Sequence, residues 1–151
     1  MFLSPNFQLE ELVFSQTAAR LNLDNTPSPA TIANLTRVAE YLEFVRHELG
    51  NRPLLISSGY RSPAVNAAVG GANNSAHLLG LAVDFTCPRF GPPLEVAKRL
   101  ATITGTWRAD QIIFEFGRWV HLGLARTGVA GRGELLSIMK AGEYSKGLHA
   151  A

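Results

Sequence analysis

Three side chains have the types and setting to do chemistry together: His77 and Asp84 in "SAHLLGLAVDF" (75–85), and His121 in "VHLGL" (120–124). An aspartate inside the apolar run "LAVDF" is costly to bury unless something pairs with it, and a metal ion is the partner these residue types suggest. Catalytic zinc typically takes three ligands from His, Asp and Glu and keeps one position for water. Two imidazoles and one carboxylate leave a dipositive ion with net charge +1, enough to acidify that water. Gly80 allows a tight turn between a loop histidine and a strand aspartate, so that both can face one point. In "VHLGL", Val120 and Leu122 point one way and His121 the other. The same donor set is also the facial triad of non-haem iron oxygenases, which usually sit in all-β jelly rolls with a tighter first pair. A lone strand histidine is ordinarily a satisfied polar residue, so spacing alone leaves these readings open. His47, late in a helical pattern, and His149, near the end of the chain, are given no role.

These residues need elements to hold them. "FQLEELVFSQTAARLN" (7–22) has Leu9, Leu12, Val13 and Ala19 near helical spacing, with Phe7 placed to staple onto Leu12 and Gln8 as a weak cap. Ser28-Pro29 reads as N-cap and first helical position. The helix that begins there puts Ile32, Leu35, Val38, Ala39, Leu42, Val45 and Leu49 on one face and ends at Gly50. "RPLLISSGY" contains a short strand, Leu54 to Ser57. "SPAVNAAVGG" is a short helix begun by Ser62-Pro63, "ANNSAH" a loop and "LAVDF" a strand. A second long helix, "PPLEVAKRLATIT", turns Leu94, Val96, Ala97, Leu100 and Ile103 inward. "QIIFEF" and "VHLGL" are strands joined by "GRW". "TGVAGRG" is a glycine-rich loop, "ELLSIMKA" fits strand or helix, and the tail 142–151 reads as polar and loose. Helices come first and strands later, so the expected class is α+β: one domain over 1–151, with N-terminal helices packed on a small, mainly antiparallel sheet carrying the metal site.

Bulk properties narrow the function classes. Charged residues are 17% and the net charge is +2, with Lys and Arg scattered, so no nucleic-acid surface is expected. Cys87 is the single cysteine, which excludes an intrachain disulfide and a cysteine zinc cluster; it reads as a small buried hydrophobe. "MFLSPNFQLEEL" lacks the basic and apolar regions of a signal peptide. No apolar run approaches membrane-spanning length. Synthesis in the cytoplasm without an export signal, no membrane insertion and a monomeric state are the expectations.

The segments "SSGYRSPAVNAAVGG", "SAHLLGLAVDF" and "FGRWVHLGL" together resemble the zinc D-Ala-D-Ala carboxypeptidase and L-alanyl-D-glutamate endopeptidase family. Its hallmark is S-x-H-x-x-G-x-A-x-D followed by a second histidine near a tryptophan. Ser75, His77, Gly80, Ala82 and Asp84 fill the first motif and His121 the second. The resemblance extends through "GYRSP" and the upstream helices, and is greatest to short phage-type members. It implies Zn2+ held by His77, Asp84 and His121, and a peptidoglycan stem peptide as substrate. It further implies Arg61 on the substrate's carboxylate or the developing oxyanion, and Ser75 hydrogen-bonded to the peptide. Trp119, close to the second histidine, is a candidate wall of the cleft, with core packing as its ordinary alternative.

One position departs from the family. Many members carry an acidic general base three residues before the second histidine, where this chain has Arg118, and the nearest acid is Glu115. If Gly117-Arg118-Trp119 forms a three-residue hairpin loop, Glu115 lies directly opposite His121 on the same face. A two-residue turn would instead pair Glu115 with Val120 and His121 with Phe114. Asp110, at the start of the strand, is the second candidate base, and orienting His121 is the alternative task for Glu115.

The leading expectation is therefore a zinc peptidase acting on peptidoglycan, either carboxypeptidase or endopeptidase, of the phage endolysin kind. The departure at Arg118 keeps open a non-catalytic zinc module that binds the wall or belongs to a virion. A wall peptidase without an export signal would reach its substrate through phage-mediated release or as a virion component.

Overall fold

The computed structural model describes residues 1–150. The class is α+β, as the order of patterns predicts: five α-helices, two 3-10 turns and eight strands among the described residues. Among the described residues no helix is long and apolar enough to cross a membrane. Two compact units are distinguished, Met1–Phe44 with Ile56–Val83, and Val45–Leu55 with Asp84–Ala151.

In the first unit, β1 (Phe2–Ser4) pairs antiparallel with β2 (Phe7–Gln8). The helical pattern after β2 is two helices rather than one, α1 (Leu9–Val13) and α2 (Gln16–Leu21). Capping chemistry makes the break. The Gln8 amide donates to Glu11 Oε1 at 2.9 Å to start α1, and Ser15 Oγ accepts from the Ala18 amide at 3.0 Å to start α2. Phe7 and Leu12, the expected staple pair, are both buried.

Helix α3 (Pro29–Glu48) starts where predicted, with Ser28 Oγ accepting from the Thr31 amide at 3.2 Å. Leu35, Val38, Ala39, Leu42 and Val45 are at most 3% exposed, and so is Leu49 just beyond the helix. That helical spacing is what fixes its buried face. The chain leaves the helix through Gly50 at φ +78°, a conformation glycine adopts without penalty. Strand β3 (Leu55–Ser58) leads to α4 (Pro63–Ala68), whose first turn is capped by Ser62 Oγ from the Val65 amide at 3.3 Å. A 3-10 turn (Ala76–Leu79) stands in place of the expected loop, and β4 (Ala82–Thr86) comes directly after it.

The second unit contains α5 (Pro93–Ala101), a 3-10 turn (Gly105–Trp107), β5 (Gln111–Glu115), β6 (Trp119–Gly123), β7 (Glu134–Ile138) and β8 (Tyr144–Lys146). α5 buries Val96, Ala97 and Leu100 and packs on β5 and β6. The strand order of the larger sheet is β3-β4-β6-β5-β7-β8. β5–β6 and β7–β8 are antiparallel, but β5–β7 is parallel, so the sheet is mixed. The parallel pair arises because the connection 124–133 carries the chain past β5 to its far side. "ELLSIMKA", ambiguous in sequence, becomes β7 because it is hydrogen-bonded on both edges. Part of the stretch read as a loose tail is β8. Ser137 secures the segment beyond β8, its Oγ donating to the Gly147 carbonyl at 2.8 Å and accepting from the His149 amide at 3.1 Å.

Candidate metal centre

His77, Asp84 and His121 are all buried, and each offers a ligand atom within 4.8 Å of the other two. Local structure accounts for each. Ser75 Oγ accepts from the His77 amide at 3.2 Å and starts the 3-10 turn that carries His77. Gly80 ends that turn at φ +70°. A Cβ there would lie 2.9 Å from Thr31 Cγ2 and 3.1 Å from Leu35 Cγ, so glycine serves both the turn and the close approach to α3. The next strand residues, Ala82 and Val83, are fully buried and lead directly to Asp84.

The tautomer of His77 is set by its partner. Its Nδ1 lies 2.6 Å from the Gly59 carbonyl oxygen, which can only accept, so Nδ1 carries the proton and Nε2 is the ring atom with a lone pair to offer. A histidine held this way at one nitrogen is oriented to ligate through the other. The Arg61 amide donates to the His77 carbonyl at 3.1 Å, so the "GYR" segment grips both ends of the residue. Gly59 is the functional position that sequence reasoning missed. A Cβ there would collide with the Leu12 carbonyl, to which the Tyr60 amide donates at 2.8 Å. Gly59→Ala is expected to cost about 1–3 kcal/mol in overpacking, and to weaken metal affinity by roughly 10- to 100-fold by displacing the carbonyl that holds His77. Thermal melts and metal titration measure the two effects separately.

His121 Nδ1 lies 3.0 Å from Asp84 Oδ1. Bonds of 2.0–2.1 Å in a tetrahedral shell set ligand atoms about 3.4 Å apart, so this pair is close to the spacing one ion requires. Two imidazoles and a buried carboxylate suit a borderline cation such as zinc. The donor set and the tautomer at His77 therefore fit a mononuclear divalent metal.

The β5–β6 hairpin corrects the expected register. Its loop is Phe116-Gly117-Arg118, one residue earlier than either turn considered from sequence, with Phe116 at φ +55° and Gly117 at φ +69°. Glu115 pairs with Trp119, and His121 with Ile113. The displacement from the Glu115–His121 pairing is two residues, an even number, so Glu115 still shares a face with His121 across a diagonal. Glu115 Oε1 lies 3.5 Å from His121 Nδ1, and the Glu115 side chain is 16% exposed. Arg118 sits exposed at the hairpin tip, where its amide closes the loop onto the Glu115 carbonyl at 2.9 Å. Trp119 is half-buried and meets Phe116 at a ring separation of 5.5 Å.

Asp110 has a different partner. Its carboxylate receives both Arg132 Nε, at 3.0 Å, and Arg132 Nη2, at 2.9 Å, in a bidentate pair that anchors the glycine-rich loop. The Arg132 guanidinium holds the carboxyl below its usual range. A lowered folded value means that the pair's stabilisation is present above the unfolded value, near 3.9, and is lost as pH falls through the folded value. Asp110→Asn should therefore flatten the acid limb of stability below about pH 4, seen in melting temperature against pH. Turnover should be unchanged.

The site is thus a buried two-histidine, one-carboxylate set that could hold a metal ion, on an α+β scaffold, with a further acid beside His121. The five helices and mixed sheet are not a jelly roll, which removes the structural ground for the iron-oxygenase alternative. A family model described as Peptidase M15 matches residues 5–123, which span all three ligands, and the chain belongs to that family. A 43-residue segment is 44% identical to the zinc D-Ala-D-Ala carboxypeptidase of Streptomyces albus G; it amounts to 28% of this chain and 17% of that protein's length.

Proposed function

We propose that the protein is a zinc-dependent peptidase that hydrolyses an amide bond in peptidoglycan stem peptides. The observation that carries this reading is the convergence of the His77, Asp84 and His121 ligand atoms within 4.8 Å, with the Glu115 carboxylate 3.5 Å from His121. When bound, zinc supplies a Lewis acid and a water acidic enough to lose its proton near neutral pH.

The chain's own residues supply the rest. Glu115 takes the proton of the attacking water on a carboxylate oxygen and later returns it to the departing amine nitrogen. Arg61 offers a planar, permanently charged guanidinium to the oxyanion or to a substrate carboxylate. The Ser75 oxygen already accepts from the His77 amide, and its O–H proton is directed to the peptide. Trp119 walls the cleft. The resemblance to carboxypeptidases and endopeptidases of the cell wall, and the similarity to a D-Ala-D-Ala carboxypeptidase, support peptidoglycan as the polymer. Resemblance to short phage-type members supports an endolysin or a virion component that reaches the wall on lysis or infection, and the protein is proposed to act as one domain and as a monomer.

Incubating the zinc-loaded protein with purified peptidoglycan tests the reading. Newly exposed amino groups, identified by their terminal residues, are the expected result and assign the bond. Zinc binding and wall binding without new amino groups would instead establish a non-catalytic module.

A further inference from the structure

The register of the second unit extends the face of the sheet that carries His121. Residues paired across neighbouring strands share a face. One row runs Trp119, Glu115, Ile138, Tyr144, and the next runs His121, Ile113, Leu136, Lys146. The rows end in solvent: Ile113 and Ile138 in their middle are buried, Trp119, Glu115 and Leu136 are intermediate, and Tyr144 and Lys146 are exposed on the edge strand β8. The Tyr144 phenol is held above its ordinary range, first by partial burial and then by the charge of Glu115, in keeping with their places in one row. The family match ends at residue 123 and assigns no role to β7 or β8.

We infer that β8 forms the distal part of the substrate cleft, where Lys146 binds a carboxylate of the peptide and Tyr144 packs beside it. The inference rests on the peptidase reading for its occupant. Two observations select a carboxylate-bearing peptide. The surface is continuous in register with the metal-bearing strand, and Lys146 forms no ion pair among the described residues. Strands about 4.8 Å apart place Lys146 about 14 Å from β6, and an extended peptide rises about 3.3 Å per residue. The carboxylate therefore lies about four residues from the scissile bond, within the span of a stem peptide and beyond that of a dipeptide.

The test uses two probes, a synthetic stem-peptide dimer with its side carboxylates free and the same dimer with them amidated. Fluorescence anisotropy of zinc-loaded protein measures binding, and amine release measures turnover. The wild type is expected to bind the free-carboxylate dimer roughly two- to fivefold more tightly, the scale of an exposed ion pair. Lys146→Met should abolish that preference, raise KM by the same factor and leave kcat unchanged. The preference should shrink towards zero at 1 M salt. Equal binding of both dimers by the wild type, or a preference that survives in Lys146→Met, overturns the inference. Binding that depends on Lys146 without any turnover would instead sink the peptidase reading and leave the distal site standing.

Discussion

Glu115→Gln should bind zinc with unchanged stoichiometry, melt at nearly the same temperature and lose roughly 10²- to 10⁴-fold in kcat, the usual contribution of a positioned general base. The substitution keeps the size and shape of the side chain and removes only its ability to take a proton. Glu115 lies outside the three-ligand set, so all three metal donors remain in the variant. Its position beside His121 survives in the glutamine because the Glu115–Trp119 backbone pairing sets it. The matched control is Asp110→Asn, in which an acid already committed to Arg132 is neutralised. Full activity in Glu115→Gln with a dead Asp110→Asn would move the base to the other acid and refute the hairpin argument.

Asp84→Ala should abolish hydrolysis and also remove the stabilisation that zinc gives. A ligand present at 1,000 times its dissociation constant stabilises the folded state by about 4 kcal/mol, which should appear as a clear rise in the wild-type melting temperature on zinc addition. Losing one of three ligands should weaken zinc by more than the 10- to 100-fold typical of an outer-shell partner. Metal-free Asp84→Ala leaves the buried His121 Nδ1 without its partner at 3.0 Å, and removing one member of a buried pair is destabilising. The metal-free variant is therefore expected to melt below the metal-free wild type, and no higher when zinc is added. A variant that retains a wild-type zinc shift would show that Asp84 is not a ligand.

The metal set is legible in the sequence because its cues are local. A carboxylate inside "LAVDF", a histidine preceded by a capping serine and a glycine between them each constrain the backbone within a few residues. Helix α3 is legible for the same reason, through Ser28, Gly50 and an uninterrupted apolar face. The features that escape sequence reasoning depend on distant partners. Nothing in "SSGY" announces that the Gly59 carbonyl orients His77, because the need for glycine comes from the Leu12 carbonyl, far away in the chain. The Asp110–Arg132 pair, which engages both carboxylate oxygens of Asp110, is equally invisible before folding. Hairpin register escapes because Phe116 takes a left-handed conformation that a bulky aromatic rarely adopts. Glu115 still shares a face with His121 because face depends only on whether the shift is odd or even. The break at Ser15 and the parallel β5–β7 pair escape because capping competes locally with helical periodicity, and strand order is set by the whole sheet.

The central claim is that one ion draws His77, Asp84 and His121 to a common centre. Diffraction from zinc-loaded crystals, recorded on both sides of the zinc absorption edge, tests it most directly. The account predicts one strong anomalous peak about 2.0–2.2 Å from an imidazole nitrogen of each histidine and a carboxylate oxygen of Asp84, with His77 ligating through Nε2. A peak elsewhere, or none in that pocket from protein that has taken up zinc, would contradict it.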